Sequence, residues 1–303
     1  MRNFTIVILF LFCLTACKGK QSSVLQESTT SGTIRISADE SFKPILEEEF
    51  KMFRASYPNA NLIVEYKPES ECLKDLMKDS TRMVFVTKGL SESENEIFKD
   101  KLGYSPRFSI LAYNAIAIVV NEKSLDTLFT LKSLKEKLTG INTQTVVLDG
   151  SHMTGVNRFL KDSLLKEMAF GKNVIAANGS DDVINYVKKH PDAMGFVAMN
   201  WINDTYDPKQ IEYRKFIKTA MLKCTLCAEK NLYAQPSPAT IGKGQYSLSL
   251  PIYYILKENF DGLGSGLVNF LSAERGQLIF RRAFLVPAIM SFTERNTVVN
   301  TGN

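Results

Sequence analysis

The run ILAYNAIAIVVN (110–121) is long, apolar and rich in β-branched residues. It reads as a strand with enough length to leave one sheet and enter another. A second apolar segment, LSLPIYYIL (248–256), has the same character, with an internal Pro251 that favours a sheet edge. Before the first run the chain alternates strand and helix. TIRIS (33–37), LIVEY (62–66) and MVFVT (83–87) are short strands. Between them, 42–57 is amphipathic, with Phe42, Ile45, Leu46, Phe50 and Phe53 at helical spacing. Pro44 stands in its first turn, and Tyr57-Pro58-Asn59 stops it. Segments 70–78 and 91–102 are further helices. Between the two long runs come helix 131–139, strand 145–148, helix 156–168 and strand 174–177. Helix 183–189, capped by Ser180, Asp181 and Asp182, and strand 193–199 complete that set. A single long helix over 266–284 and a strand over 285–289 close the chain. The pattern implies an α/β fold: two units with mixed, mostly parallel sheets flanked by helices, joined by two crossing segments as a hinge. The cleft of such a clamp is the default ligand site.

Composition agrees. Of 303 residues, 45% are hydrophobic, 23% charged and 10% aromatic, which excludes a disordered or collagen-like chain. The length suits two domains. The formal net charge of +5 is too modest for a nucleic-acid binder, and five Cys are too few for a disulfide-built scaffold.

The first twenty residues, MRNFTIVILFLFCLTACKGK, set the compartment. Arg2 is a short positive region, and an apolar run follows that is far short of the ~20 residues of a membrane span. Residues 1–16 therefore read as a signal peptide. Leu14-Thr15-Ala16-Cys17 resembles the bacterial lipoprotein box, which implies a lipid on Cys17 and a tether over 17–32 rich in Gly, Ser, Thr and Gln. The expected location is the cell envelope, anchored to a membrane through that lipid. Such a compartment permits disulfides. Cys224-Thr225-Leu226-Cys227 lacks both the nearby ligands of a zinc site and the strand-to-helix setting of a thioredoxin motif, so it reads as a structural or incidental pair.

A set of strings carries a family resemblance. They are Asp39-Glu40-Ser41-Phe42-Lys43-Pro44, Tyr66-Lys67-Pro68-Glu69, Val86-Thr87-Lys88-Gly89-Leu90 and Pro191-Asp192-Ala193-Met194-Gly195-Phe196. Gly242-Lys243-Gly244-Gln245-Tyr246-Ser247-Leu248 and Val286-Pro287-Ala288 follow. In order and spacing the chain resembles the PstS-type substrate-binding lipoproteins of phosphate ABC transporters, in a Bacteroidota-like variant. The resemblance covers about 33–289. It implies a two-lobed, type II-like periplasmic-binding-protein clamp. Lobe 1 would be 33–112 plus 247–295, lobe 2 113–246, and 296–303 a C-terminal tail. It also implies a monomer that takes inorganic phosphate or a similar oxyanion and hands it to ABC permease subunits.

Phosphate needs hydrogen-bond donors and often one basic side chain. Three loops between a strand and a helix offer them. Ser41 is a helix cap whose hydroxyl can also face an anion; its neighbours Asp39 and Glu40 would repel phosphate unless they turn away or accept its proton. Lys88 is a candidate point charge at a position where the family carries Arg or another polar group. In the third loop Ser151, Thr154 and Gly155 match the family's hydroxyl and backbone donors, although His152 and Met153 interrupt the pattern. Arg158 lies one turn into the following helix, where it can reach the anion or pair with a surface acid. Asn114 stands at the crossover, where relatives often carry Asp to receive a phosphate proton. Glu69 and Ser70 are weaker candidates. No Gly-x-Ser-x-Gly, His-Glu-x-x-His or Walker string is present, so neither an enzyme, a metal nor a cofactor is expected. The alternatives are another oxyanion, or a surface lipoprotein that keeps the clamp for docking or sensing.

Overall fold

The computed structural model describes residues 27–150, 153–166 and 168–289. The signal peptide, Cys17 with most of its tether, Ser151, His152 and the C-terminal tail lie outside the described residues.

The chain opens with β1 (Gly32–Asp39), a 3-10 turn at Glu40–Phe42, and α1 (Lys43–Ser56). It continues with β2 (Ala60–Lys67), α2 (Glu69–Leu76), β3 (Met83–Val86) and α3 (Glu92–Leu102). The long run forms β4 (Arg107–Asn121). Then follow β5 (Leu128–Phe129), α4 (Leu131–Leu138), β6 (Val146–Asp149) and α5 (Gly155–Phe159), which runs on as a π-helical turn at Leu160–Leu165. Next are β7 (Val174–Ala177), α6 (Ser180–Lys189), β8 (Met194–Ala198) and α7 (Pro208–Tyr213). The last part holds β9 (Ile217–Thr219), β10 (Met221–Lys223), β11 (Tyr233–Ala234) and α8 (Pro238–Gly242). It ends with β12 (Ser249–Leu256), α9 (Leu263–Ser272), α10 (Glu274–Arg282) and β13 (Val286–Pro287).

Ten strands form one mixed sheet in the order β2-β1-β3-β12-β4-β8-β6-β7, with β9 and β13 also on β4. Its outer pairs, β1 with β2 and β3, and β6 with β7 and β8, are parallel. Its middle is antiparallel. β4 is the strand shared by both halves: residues up to Ala115 pair with β12, and Ile116 to Val120 pair with β8. Its side chains alternate. Ile116, Ile118 and Val120 join the large core that also holds Phe42, Phe50, Phe53 and Phe85. Ala117 and Val119 join a second core with Val147, Val183 and Val187. Burial on both faces explains why this strand reads as continuous apolar sequence rather than as an alternating one.

Pro251 sits opposite Tyr113 of β4, while the β3 pairing covers only Tyr253 to Leu256. The strand is central, yet its proline stands where one side carries no ladder, so the expected edge character is local. β12 itself stays beside the first part of β4. The return crossing lies just before it, where Leu248 C=O accepts Ile116 N–H at 2.8 Å.

The single helix expected over 266–284 is two helices. Ala273, at φ −79° and ψ 171°, breaks it. The cause is the tight seat of α10 on the end of α9: a Cβ at Gly276 would stand 2.6 Å from the Phe270 carbonyl oxygen and from Leu271 Cα. Those obstacles are backbone and cannot swing aside. Gly276→Ala is therefore expected to cost about 1–3 kcal/mol by overpacking. Urea unfolding should show a lower midpoint with an unchanged slope, and an unaltered midpoint would contradict the close seat.

The Cys pair is a disulfide, Cys224–Cys227, beside β10, and Cys72 is a buried free thiol. A small three-stranded sheet of β11, β10 and β5 flanks it. Among the described residues no helix is long and apolar enough to cross a membrane.

Candidate functional site

The two halves of the sheet meet at the carboxyl ends of β1, β3 and β6, where α/β folds place ligands. β1 ends on Asp39 and β6 on Asp149, and Thr87 follows β3. α2 begins with Glu69, after Pro68, whose extended backbone precedes the first turn. α5 begins at Gly155 behind Thr154, whose hydroxyl accepts the Asn157 N–H as a helix cap. Asp39, Glu69, Asp149, Ser41 and Thr154 have no solvent exposure.

Their hydrogen bonds form one connected cluster. Asp39 accepts Ser41 N–H at 2.8 Å and, from across the junction, Gly155 N–H at 2.6 Å. Asp149 accepts the Thr154 hydroxyl at 2.8 Å, the Ser180 hydroxyl at 3.2 Å and the Ser41 hydroxyl at 3.4 Å. Glu69 accepts the Thr87 N–H at 2.8 Å and its hydroxyl at 2.9 Å. Arg158 donates to Glu69 through Nε at 2.7 Å, also touches the Thr87 hydroxyl, and reaches Asp162 at 3.3 Å. Two further bonds cross the same junction: Trp201 Nε1–H to Ser41 C=O at 3.1 Å, and Ser70 N–H to Met153 C=O at 3.2 Å.

Gly155 is a point of close approach between the halves. A Cβ there would overlap the Thr87 methyl and stand 3.0 Å from Asp39. Only glycine permits this approach.

Three buried carboxyl groups stand at this junction and the guanidinium of Arg158 pairs with only one of them, Glu69. Burial, then the charge of Glu69, pushes Asp39 up to about 7. Burial, then Asp39, pushes Asp149 well above the usual carboxylate range. Burial and mutual repulsion thus favour protonation in this cluster, and a carboxyl that takes up a proton can donate a hydrogen bond as well as accept one.

A family model for the PBP superfamily domain matches residues 23–274. The chain belongs to the PBP superfamily. Solved structures repeat its fold. A putative phosphate ABC transporter substrate-binding protein with bound phosphate from Clostridium perfringens is 18% identical, with TM-score 0.67 over 84% of this chain and 99% of that one. An ABC-type phosphate transport receptor from Vibrio cholerae is 19% identical, with TM-score 0.61 over 84% of this chain and 100% of that one. The reduced OxyR regulatory domain from Pseudomonas aeruginosa is 8% identical, with TM-score 0.50 over 80% of this chain and 98% of that one. No curated protein matches the chain.

Within this PBP-superfamily protein, Ser41, Thr154, Gly155 and Arg158 come together as the sequence suggests. Lys88 stands apart: its ammonium pairs with Glu94 at 3.2 Å, on the carboxylate that closes the capping box of α3. Asn114 is buried on β4, where its amide donates to Asn200 and its oxygen accepts Ala115 N–H at 2.8 Å. Ser151 and His152 lie outside the described residues. Asp149, Thr87 and Ser180 join the cluster without having been singled out. Ser180 lies in the first turn of α6 rather than capping it; Gly179 takes the cap position and the Ser180 hydroxyl turns to Asp149. The signal available for Asp149 and Thr87 was their place at or just past the end of a strand. Among the described residues no group of three or more His, Cys, Asp or Glu side chains is arranged to hold a metal. A surface cavity of about 960 Å³ lies elsewhere, between Lys123, Asp126, Gln144, Tyr186 and His190.

Proposed function

We propose that this protein is the solute-binding component of a phosphate-type ABC transporter. It is anchored in the cell envelope by a lipid on Cys17 and works as a monomer with permease subunits. Residues 33–112 plus 247–295 form one lobe and 113–246 the other, and inorganic phosphate is captured between them. The supporting observation is the convergence of Ser41, Thr154, Gly155 and Arg158 at the strand ends where the halves meet: two hydroxyls, a backbone N–H and one guanidinium. Such a set suits a tetrahedral oxyanion. A protonated carboxyl beside it can donate to a phosphate oxygen. The printed descriptions of the Clostridium and Vibrio proteins support the same ligand class. The protein is a binder rather than an enzyme in this reading.

Calorimetric titration of the full chain with phosphate, sulfate and molybdate tests it. Phosphate should bind at one site, more tightly than either competitor. Heat from none of the three would overturn the assignment.

A specific observation favours a second reading, in which the clamp serves docking or sensing with no small ligand. Each of those donors already has a carboxylate acceptor within the protein. A fold shared with a regulatory domain makes that role physically open to it.

A further inference from the structure

Two of the bonds at the junction run from the β6 side to a carboxylate on the β1 side. Gly155, on the β6 side, gives its N–H to Asp39 on the β1 side at 2.6 Å. Arg158, on the β6 side, gives Nε–H to Glu69 on the β1 side at 2.7 Å. The same two carboxylates collect donors from their own side, Ser41 N–H for Asp39 and Thr87 N–H for Glu69, both at 2.8 Å. A carboxylate presents two anionic oxygens in a plane, the same acceptor chemistry as one edge of a phosphate. Both side chains are wholly buried, so neither is a solvated acid that happens to lie nearby.

We propose that Asp39 and Glu69 are internal stand-ins for the anionic ligand: they occupy its donors, hold the two halves together without it, and must be displaced for an oxyanion to enter. The proposal rests on the reading of this cluster as the ligand site. It makes Asp39 and Glu69 the residues that set apparent affinity. The anion competes with two tethered carboxylates that are always present at high effective concentration. It also separates shape from loading. A closed clamp no longer reports a bound solute, because both the stand-ins and the solute favour the same closed arrangement. Asp149 differs in kind. It bonds mainly to Thr154 and Ser180 of its own half, so it braces the loop rather than tying the halves.

Amide hydrogen exchange on the full chain tests this, read in peptides that contain Thr87 and Gly155. In phosphate-free wild-type protein both amides should exchange more than about tenfold more slowly than in Asp39→Ala or Glu69→Ala. Added inorganic phosphate should restore the protection in the variants. If the wild-type amides exchange as fast as those of the variants until phosphate is added, the proposal is overturned. It is equally overturned if the variants stay as slow as wild type without phosphate. If the wild type is protected alone and phosphate fails to protect the variants, the internal tie stands and the phosphate reading falls. Should Glu69→Ala fail to fold, Asp39→Ala carries the comparison, read at the Gly155 amide that Asp39 accepts.

Discussion

Arg158→Ala is expected to lower the unfolding free energy by about 3–5 kcal/mol, the range for removing one partner of a buried ion pair. The guanidinium is 24% exposed and pairs with a Glu69 side chain that is 0% exposed. Without it Glu69 keeps Thr87 as a donor but has no cation, and it cannot reach water without opening the junction. Most of the loss is therefore the cost of stranding a buried charge, not the worth of the pair. A second variant separates the two. Glu69→Gln combined with Arg158→Met leaves no charge behind, and the Gln carbonyl still accepts the Thr87 N–H. The double variant should recover most of the lost stability. Urea unfolding of the three proteins decides the matter. A loss below about 1 kcal/mol for Arg158→Ala is the behaviour of a solvated pair and would mean that the junction is wet.

The second large effect concerns Glu49, on the inner face of α1 among Ile45, Leu46, Phe50 and Phe53. It is wholly buried, and among the described residues neither carboxyl oxygen has a hydrogen-bond partner. Burial pushes it up to about 9, so the folded protein keeps its proton at neutral pH. The unfolded chain releases that proton once the pH passes about 4.5. The native state then binds more protons than the unfolded one, and stability falls as pH rises from about 4.5 to about 9. Asp39, pushed up to about 7, adds a fall of the same sign between about 4 and about 7. Glu49→Gln removes the larger contribution. At pH 8 it should raise stability by several kcal/mol, about 1.4 kcal/mol for each pH unit above about 4.5, with Tm higher by roughly 10 °C, and at pH 5 by less than about 1 kcal/mol. Thermal melts of both proteins at the two pH values check this. Parallel pH profiles would show that Glu49 ionises freely in the folded state.

How far the sequence could be read follows from where the information lies. The doubly buried strand β4 was legible because burial on two faces leaves a continuous apolar run. The helix α1 was legible because Ile45, Leu46, Phe50 and Phe53 share one face. The break at Ala273 was not, since its cause is the seat of Gly276 on Phe270 and Leu271, a contact between two helices. Nor were β5, β10 and β11, whose two- and three-residue ladders are made by partners distant in the chain. The site shows the same division. Ser41, Thr154, Gly155 and Arg158 were visible because loop and helix starts have local signatures. The partners of those groups were not. Asp39 read as a group that would repel an anion, whereas it accepts the very N–H groups an anion would use. Lys88 and Asn114 carry the right chemistry for an oxyanion, and in the folded chain Lys88 pairs with Glu94 while Asn114 bonds to Asn200, partners that lie outside their own loop or strand.

The sharing of β4 has a consequence for biogenesis. Its first part is completed by β12 and β13, strands from the last quarter of the chain, while its second part is completed by β8 and β9. The second half draws its strands from one continuous stretch of chain, whereas the first half cannot finish its sheet until β12 and β13 return to it. The first half of a nascent chain therefore cannot lock its sheet until Val286 and Pro287 have been synthesised, and its strands wait unpaired on that side while most of the chain is made.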